Sequence, residues 1–158
     1  MAHEDKHISI EWIDVEKKHL NLISTLKPAN ESVNLSSYLA EWCPDCKSQI
    51  SPLIKLFNDY KKLGLEMNII MDYSSKESSS LFMNEHDVEI PFIYGELFEK
   101  NELKRLETSF YMFRQLIGDK RKWGVPFHLI RKKNSSMVGI IKGEFKDREL
   151  RDYISENL

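Results

Sequence analysis

The chain has 158 residues, 41% hydrophobic and 30% charged, the balance of a chain that folds around a core rather than a disordered one. That length suits a single domain over residues 1–158, with a core that needs no disulfide staple. A formal net charge of −2 excludes a global attraction to nucleic acid or anionic membrane, and the apolar runs are too short to cross a bilayer.

The opening segment, MAHEDKHISIEW, is charged from the start and has no apolar run before a small-residue cleavage site. The expected compartment is therefore the cytoplasm, where thiols stay mostly reduced and a static structural disulfide is not expected. Ile8 to Asp14 alternates apolar and polar residues and predicts a short strand. Val15 to about Leu26 carries a helical stripe of Leu22, Ile23 and Leu26, ended by Pro28 and Asn30. Ser32 to Ala40 reads as a strand. Ile50, Leu53, Ile54 and Phe57 then recur at helical spacing, predicting a helix from Pro44 to Leu63 that Pro52 should kink. Gly64 closes it, and Leu65 to Tyr73 is a second strand, so the three elements form a βαβ unit.

Residues Ser74 to Lys122 are expected to be mostly helical. Ser75 can cap a first helix, and Leu103, Leu106, Phe110, Phe113 and Ile117 mark a longer one. Between them VEIPFIYG is extended, without an assigned place. Phe110 to Phe113, FYMF, are read as buried between this segment and the core, with an exposed apolar binding surface as the alternative. Farther on, VPFHLIRKKNSSMVGIIKGEF predicts a hairpin turning at Asn134 to Ser136. Asp147 is expected to cap a last helix with Leu150, Ile154 and Leu158 on one face.

The chemistry concentrates at Cys43 and Cys46, the only two cysteines, three positions apart where the first strand of the βαβ unit meets its helix. A thiol at a helix N-terminus faces unpaired amides and the positive end of the macrodipole, which favour thiolate. Cys43 is then the attacking sulfur and Cys46, one turn on, the resolving one. A zinc site needs about four ligands, and no second CxxC is present. No bound cofactor is required, because the electrons reside on sulfur. His128 is read as a strand residue with a satisfied ring. Lys120, Arg121 and Lys122 are read as a solvated loop, or else as a positive patch that favours the thiolate and acidic partners.

AEWCPDCK, Ala40 to Lys47, resembles the thioredoxin active-site segment Ala-Glu-Trp-Cys-Gly-Pro-Cys-Lys, differing only between the cysteines. WGVPFHLI, Trp123 to Ile130, is similar to the cis-proline loop of that superfamily. The resemblance implies an α/β thioredoxin fold, a central mixed β-sheet flanked by helices, with an α-helical insertion at about 74–122. It implies a cis Val125–Pro126 bond beside Cys43, a Val125 backbone that pairs with extended substrate, and a Trp42 that borders the site. Pro44 and Asp45 would tune the redox poise. The activity implied is thiol–disulfide oxidoreduction, reducing disulfide-containing proteins or small molecules and recycled by a reductase or a low-molecular-weight thiol. An alternative is a binding or adaptor module with a redox-sensing CxxC. The chain departs from the family in three ways. Ser37 stands where a buried Asp is usual, Pro52 falls one residue late, and the segment before the cis-proline strand is long.

Overall fold

A computed structural model of the protein describes residues 7–14, 23–26 and 28–158. Most of the helix expected from Val15 lies outside these residues; of its stripe, Ile23 is buried and Leu26 packs against the core. The N-terminal strand divides into β1 (His7–Ile8) and β2 (Glu11–Asp14). Next come β3 (Val33–Leu39), α1 (Pro44–Tyr60) with a 3₁₀ turn over Lys61–Leu63, and β4 (Leu65–Met71). Gly64 ends that turn at φ +106°, a left-handed conformation that glycine adopts without steric cost.

β3 and β4 pair in parallel from Val33↔Leu65 to Leu39↔Met71, with α1 as their crossover. The hairpin strands are β6 (Phe127–Lys132) and β7 (Met137–Ile141), with Asn134 at φ +63° in the turn. They extend the sheet on the other side, β6 antiparallel to β3 and β7 antiparallel to β6. β2 closes that edge against β7, while β1 pairs with β8 (Glu144–Phe145) as a separate two-stranded sheet. Every residue of β3 is buried, as expected of a strand with neighbours on both sides and layers on both faces. The chain therefore delivers Cys43 from the centre of the mixed sheet.

The segment between β4 and β6 is less helical than expected. α2 (Lys76–Glu85) is capped by Ser75, whose hydroxyl accepts from the Ser78 N–H at 3.1 Å. VEIPFIYG supplies β5 (Phe92–Tyr94), an edge strand parallel to β4, with Pro91 just before it where a missing N–H is tolerated. The long helix expected over Leu103 to Ile117 is divided into a 3₁₀ turn, Lys104–Glu107, and α3 (Ser109–Leu116). Thr108 breaks it with an extended backbone and caps α3, its hydroxyl accepting from the Tyr111 N–H at 3.1 Å. The Glu96 carboxylate accepts from the Ser109 and Phe110 N–H groups at 2.8 and 3.1 Å, so negative charge meets the positive helix end.

The FYMF run splits by face. Phe110 and Phe113 are fully buried against Phe127, and Tyr38 stacks on Phe110 at 4.2 Å, whereas Met112 is 52% exposed. In α4 (Asp147–Asn157), Leu150 and Ile154 are buried as expected. The cap differs: Lys146 holds the N-cap position without a side-chain bond, and Asp147 is the first helical residue, paired with Arg151 at 2.9 Å. The i,i+4 ion pair takes the carboxylate that a cap would use.

Because Thr108 both caps α3 and holds the turn before it, T108A should lower stability by about 1 kcal/mol in urea titrations. A loss under a few tenths would show that Glu96 alone secures the helix end.

Candidate functional site

Cys43 is the N-cap residue of α1, at φ −84° and ψ +117°, and its Sγ accepts from the Cys46 N–H at 3.2 Å. Pro44 follows at the first helical position, where its absent N–H costs nothing, and Asp45 lies exposed in the first turn. Sulfur thus does the work that a serine or aspartate oxygen does at other helix ends. Cys43 is 6% exposed and Cys46 fully buried, so only the first thiol reaches the surface. The Cys43 thiol is held below its ordinary pKa, chiefly by a hydrogen bond from the Cys46 thiol; burial and the Asp45 charge oppose this, and the Cys46 and Asp45 N–H groups support it. Burial pushes the Cys46 thiol strongly up, and its bond to Cys43 pushes it further.

Val125–Pro126 is cis, and the Val125 carbonyl lies 3.7 Å from the Cys43 Sγ. An ion knot from the preceding segment pins this loop. Arg121 donates to the Pro126 carbonyl at 2.9 Å and the Gly124 carbonyl at 3.3 Å. Its guanidinium also forks onto the Asp119 carboxylate at 3.0 and 2.8 Å. Arg114, fully buried, donates to the Arg121 carbonyl at 2.8 Å and lies 3.6 Å from the same carboxylate. Gly124 has φ +70°, and a Cβ there would sit 2.2 Å from the Arg114 guanidinium, so glycine is required twice over. Arg121, read from sequence as loop, is therefore the residue that holds the loop, while Lys120 and Lys122 are exposed.

Trp42 donates its indole N–H to the Tyr73 carbonyl at 3.0 Å and meets Trp123 edge to face at 5.5 Å. The strand end beneath it is fastened by Asp72, whose Oδ1 accepts from the Tyr73 and Leu97 N–H groups at 3.1 and 3.2 Å. Gly95 lies against that carboxylate; a Cβ there would come within 2.4 Å of it. Burial raises the Asp72 carboxyl to about 6 despite its two N–H donors.

Ser37, where the thioredoxin resemblance expects a buried Asp, lies at one end of a buried neutral network centred on His128. The Gln49 Oε1 can only accept, so His128 carries its proton on Nε2 and donates at 2.8 Å. Nδ1 then accepts from the Ser37 hydroxyl at 2.7 Å. Burial pushes the His128 ring down to about 3, so it stays neutral. The satisfied ring expected of His128 is present, but its partners were not legible from spacing. Nor were Arg114, Asp119 and Asp72, buried charges scattered along a segment with no motif. Among the described residues no group of three His, Cys, Asp or Glu is placed to hold a metal ion.

Two consequences are measurable. C46A removes the thiol donor to Cys43 but keeps the amide, and should raise the Cys43 pKa; D45N should lower it. The pH profile of alkylation by iodoacetamide reads both, and a fall for C46A would contradict the assigned donor. The Asp72 carboxyl has a folded pKa of about 6 against the ordinary 3.8, so its stabilising effect is full below about pH 4 and is lost as pH rises through about 6. D72N keeps Oδ1 for both N–H groups and loses the charge. It should be more stable than the parent at pH 7, with the difference shrinking towards pH 4 in urea titrations. A deficit at pH 7 would mean that the charge itself is needed.

No protein-family model and no curated protein sequence matches the chain. Solved structures do match in shape. A thioredoxin-family thiol:disulfide interchange protein from Chlorobium tepidum is 14% identical with a TM-score of 0.60, over 87% of this chain and 83% of that one. A thioredoxin-related protein from Neisseria meningitidis is 18% identical with a TM-score of 0.59, over 85% and 89%. A secreted disulfide oxidoreductase from Mycobacterium tuberculosis is 8% identical with a TM-score of 0.56, over 79% and 81%. Together with the mixed sheet and flanking helices, these matches give the chain a thioredoxin fold.

Proposed function

We propose that the protein is a thiol–disulfide oxidoreductase acting as a single thioredoxin-like domain, with Cys43 as nucleophile and Cys46 as resolving thiol. The observation that carries this reading is the placement of the Cys43 Sγ. It caps α1 with its pKa lowered, has the second thiol behind it, and lies 3.7 Å from the Val125 carbonyl. The Cys43 thiolate attacks a substrate disulfide, forming a mixed disulfide and expelling one substrate thiolate. Cys46 loses its proton to that departing thiolate and attacks the Cys43 Sγ, releasing the second. Two electrons pass from the protein dithiol to the substrate, and the protein ends as the Cys43–Cys46 disulfide. The Val125 backbone, next to Pro126, pairs with an extended substrate segment, and Trp42 walls the groove. Pro44 starts the helix that Cys43 caps.

Asp45 supports the reducing direction. Its charge opposes the Cys43 thiolate and so disfavours the dithiol relative to the disulfide, which makes the dithiol the better donor. In a reducing cytoplasm a reductase or a low-molecular-weight thiol would restore it. D45N should make the reduction potential less negative in a glutathione redox titration; a more negative value would assign Asp45 another role.

C43S should abolish insulin-disulfide reduction, at least ~100-fold. C46S should retain the first step and accumulate substrate disulfide-linked to Cys43, visible on non-reducing gels. If C43S instead leaves partner capture intact and the parent reduces no disulfide, the chain is a binding module with a redox-sensing CxxC.

A further inference from the structure

The wall beside Cys43 carries positive charge on aromatic faces. Lys100 Nζ lies 3.8 Å from the centroid of the Trp42 ring and 5.7 Å from that of Trp123. The Arg105 guanidinium lies 5.6 Å from the Trp123 centroid on the same rim. The neighbouring charges are largely paired: Lys104 binds Glu99 at 3.2 Å, Arg121 is committed to Asp119, and Lys122 pairs with Glu102, whose carboxylate also feels the charges of Arg105 and Lys100 from farther off. Among the described residues, neither Lys100 nor Arg105 has an ion pair, and the Arg105 Nε is buried without a hydrogen-bond partner. Cations held over tryptophan are partly desolvated, so a carboxylate arriving there is screened less than at an open surface. Trp123 is two residues from Val125, whose carbonyl meets the Cys43 Sγ, so this charge borders the line a bound segment would follow. On the other side of Cys43 the exposed Asp45 carries negative charge that opposes the thiolate.

We propose that the preferred substrates are disulfides in acidic peptide segments, with a carboxylate near the disulfide cysteine seated over Trp123 between Lys100 and Arg105. The inference rests on the disulfide-exchange reading above and adds the substrate class. The exchange itself is unchanged: the dithiol supplies both electrons, and the carboxylate only places the disulfide.

The test uses the reduced full-length protein and peptide disulfides identical except for Glu, Gln or Lys beside the cysteine, with hydroxyethyl disulfide as a small neutral probe. Single-turnover second-order rates should favour the Glu peptide over the Lys peptide by roughly tenfold at low salt, a ratio that shrinks as ionic strength rises. The Glu/Gln rate ratio should fall to about 1 in the K100Q/R105Q double variant and persist in K100R/R105K. It should also persist in K104Q, where the altered lysine serves Glu99. Each ratio is taken within one variant, so a general loss of activity does not imitate the effect. Equal rates for Glu and Lys peptides, with hydroxyethyl disulfide still reduced, would overturn the acidic preference alone. No reaction with any disulfide would overturn the exchange reading and this inference with it.

Discussion

A sulfur atom caps a helix in this protein, and the site follows from that substitution of function. An N-cap must accept a hydrogen bond from an amide of the first turn, and the Cys43 Sγ does so at 3.2 Å. A thiolate is a better acceptor than a thiol, so the bond that ends the helix also favours the reactive form. The strongest contribution comes from the second thiol one turn on, which lies on the same helix face because the spacing is three. Its burial is what makes it a donor rather than a competing thiolate: desolvation keeps the Cys46 proton in place while Cys43 gives its own up. Two chemically identical side chains therefore shift in opposite directions, one accepting hydrogen bonds at the helix end and the other buried behind it.

The second constraint is the position of the Val125 loop, and the long segment before β6 maintains it. Arg114 and Asp119 are buried charges, costly to desolvate unless each finds a partner. They find one another and Arg121, which spends its remaining donors on the carbonyls on either side of Val125. Their energetic cost is offset only while the loop keeps its shape, so the knot selects one loop conformation. The same segment, from its other end, supplies Glu96 to α3 and Lys100 to the rim of the site. It forms a wall of the candidate site as much as an insertion.

How much of this was legible follows from the range of each signal. The CxxC, the strand before it, the amphipathic helix after it and the hairpin are local patterns; the strand appears within a residue of its expected bounds, and the helix starts as expected and gives way to a 3₁₀ turn for its last three residues. Val125–Pro126 was legible through its motif and its place ahead of the hairpin. The segment from Ser74 to Lys122 was not, because its periodic leucines, Leu103 and Leu106, continue a helical pattern across a residue that caps instead. Leu103 is 78% exposed, so periodicity there marked no buried face. Asp147 misled for a related reason: a residue type suited to capping can find a better partner one turn along, here Arg151. The partners of Ser37 were beyond reach, since His128 and Gln49 come from another strand and from α1.

That last network alters what the interior can do during exchange. A buried carboxylate below the cysteines could take up and return the resolving proton. A serine hydroxyl, a neutral imidazole with both nitrogens engaged and an amide offer no basic site for it. The imidazole would have to charge in a fully buried position, which burial opposes down to about pH 3. In the proposed exchange the Cys46 proton would therefore leave towards the groove rather than into the sheet. A neutral network at Ser37 thus leaves the Cys43 thiol and the buried Asp72 carboxyl, on the other side of Trp42, as the groups whose charge answers to pH.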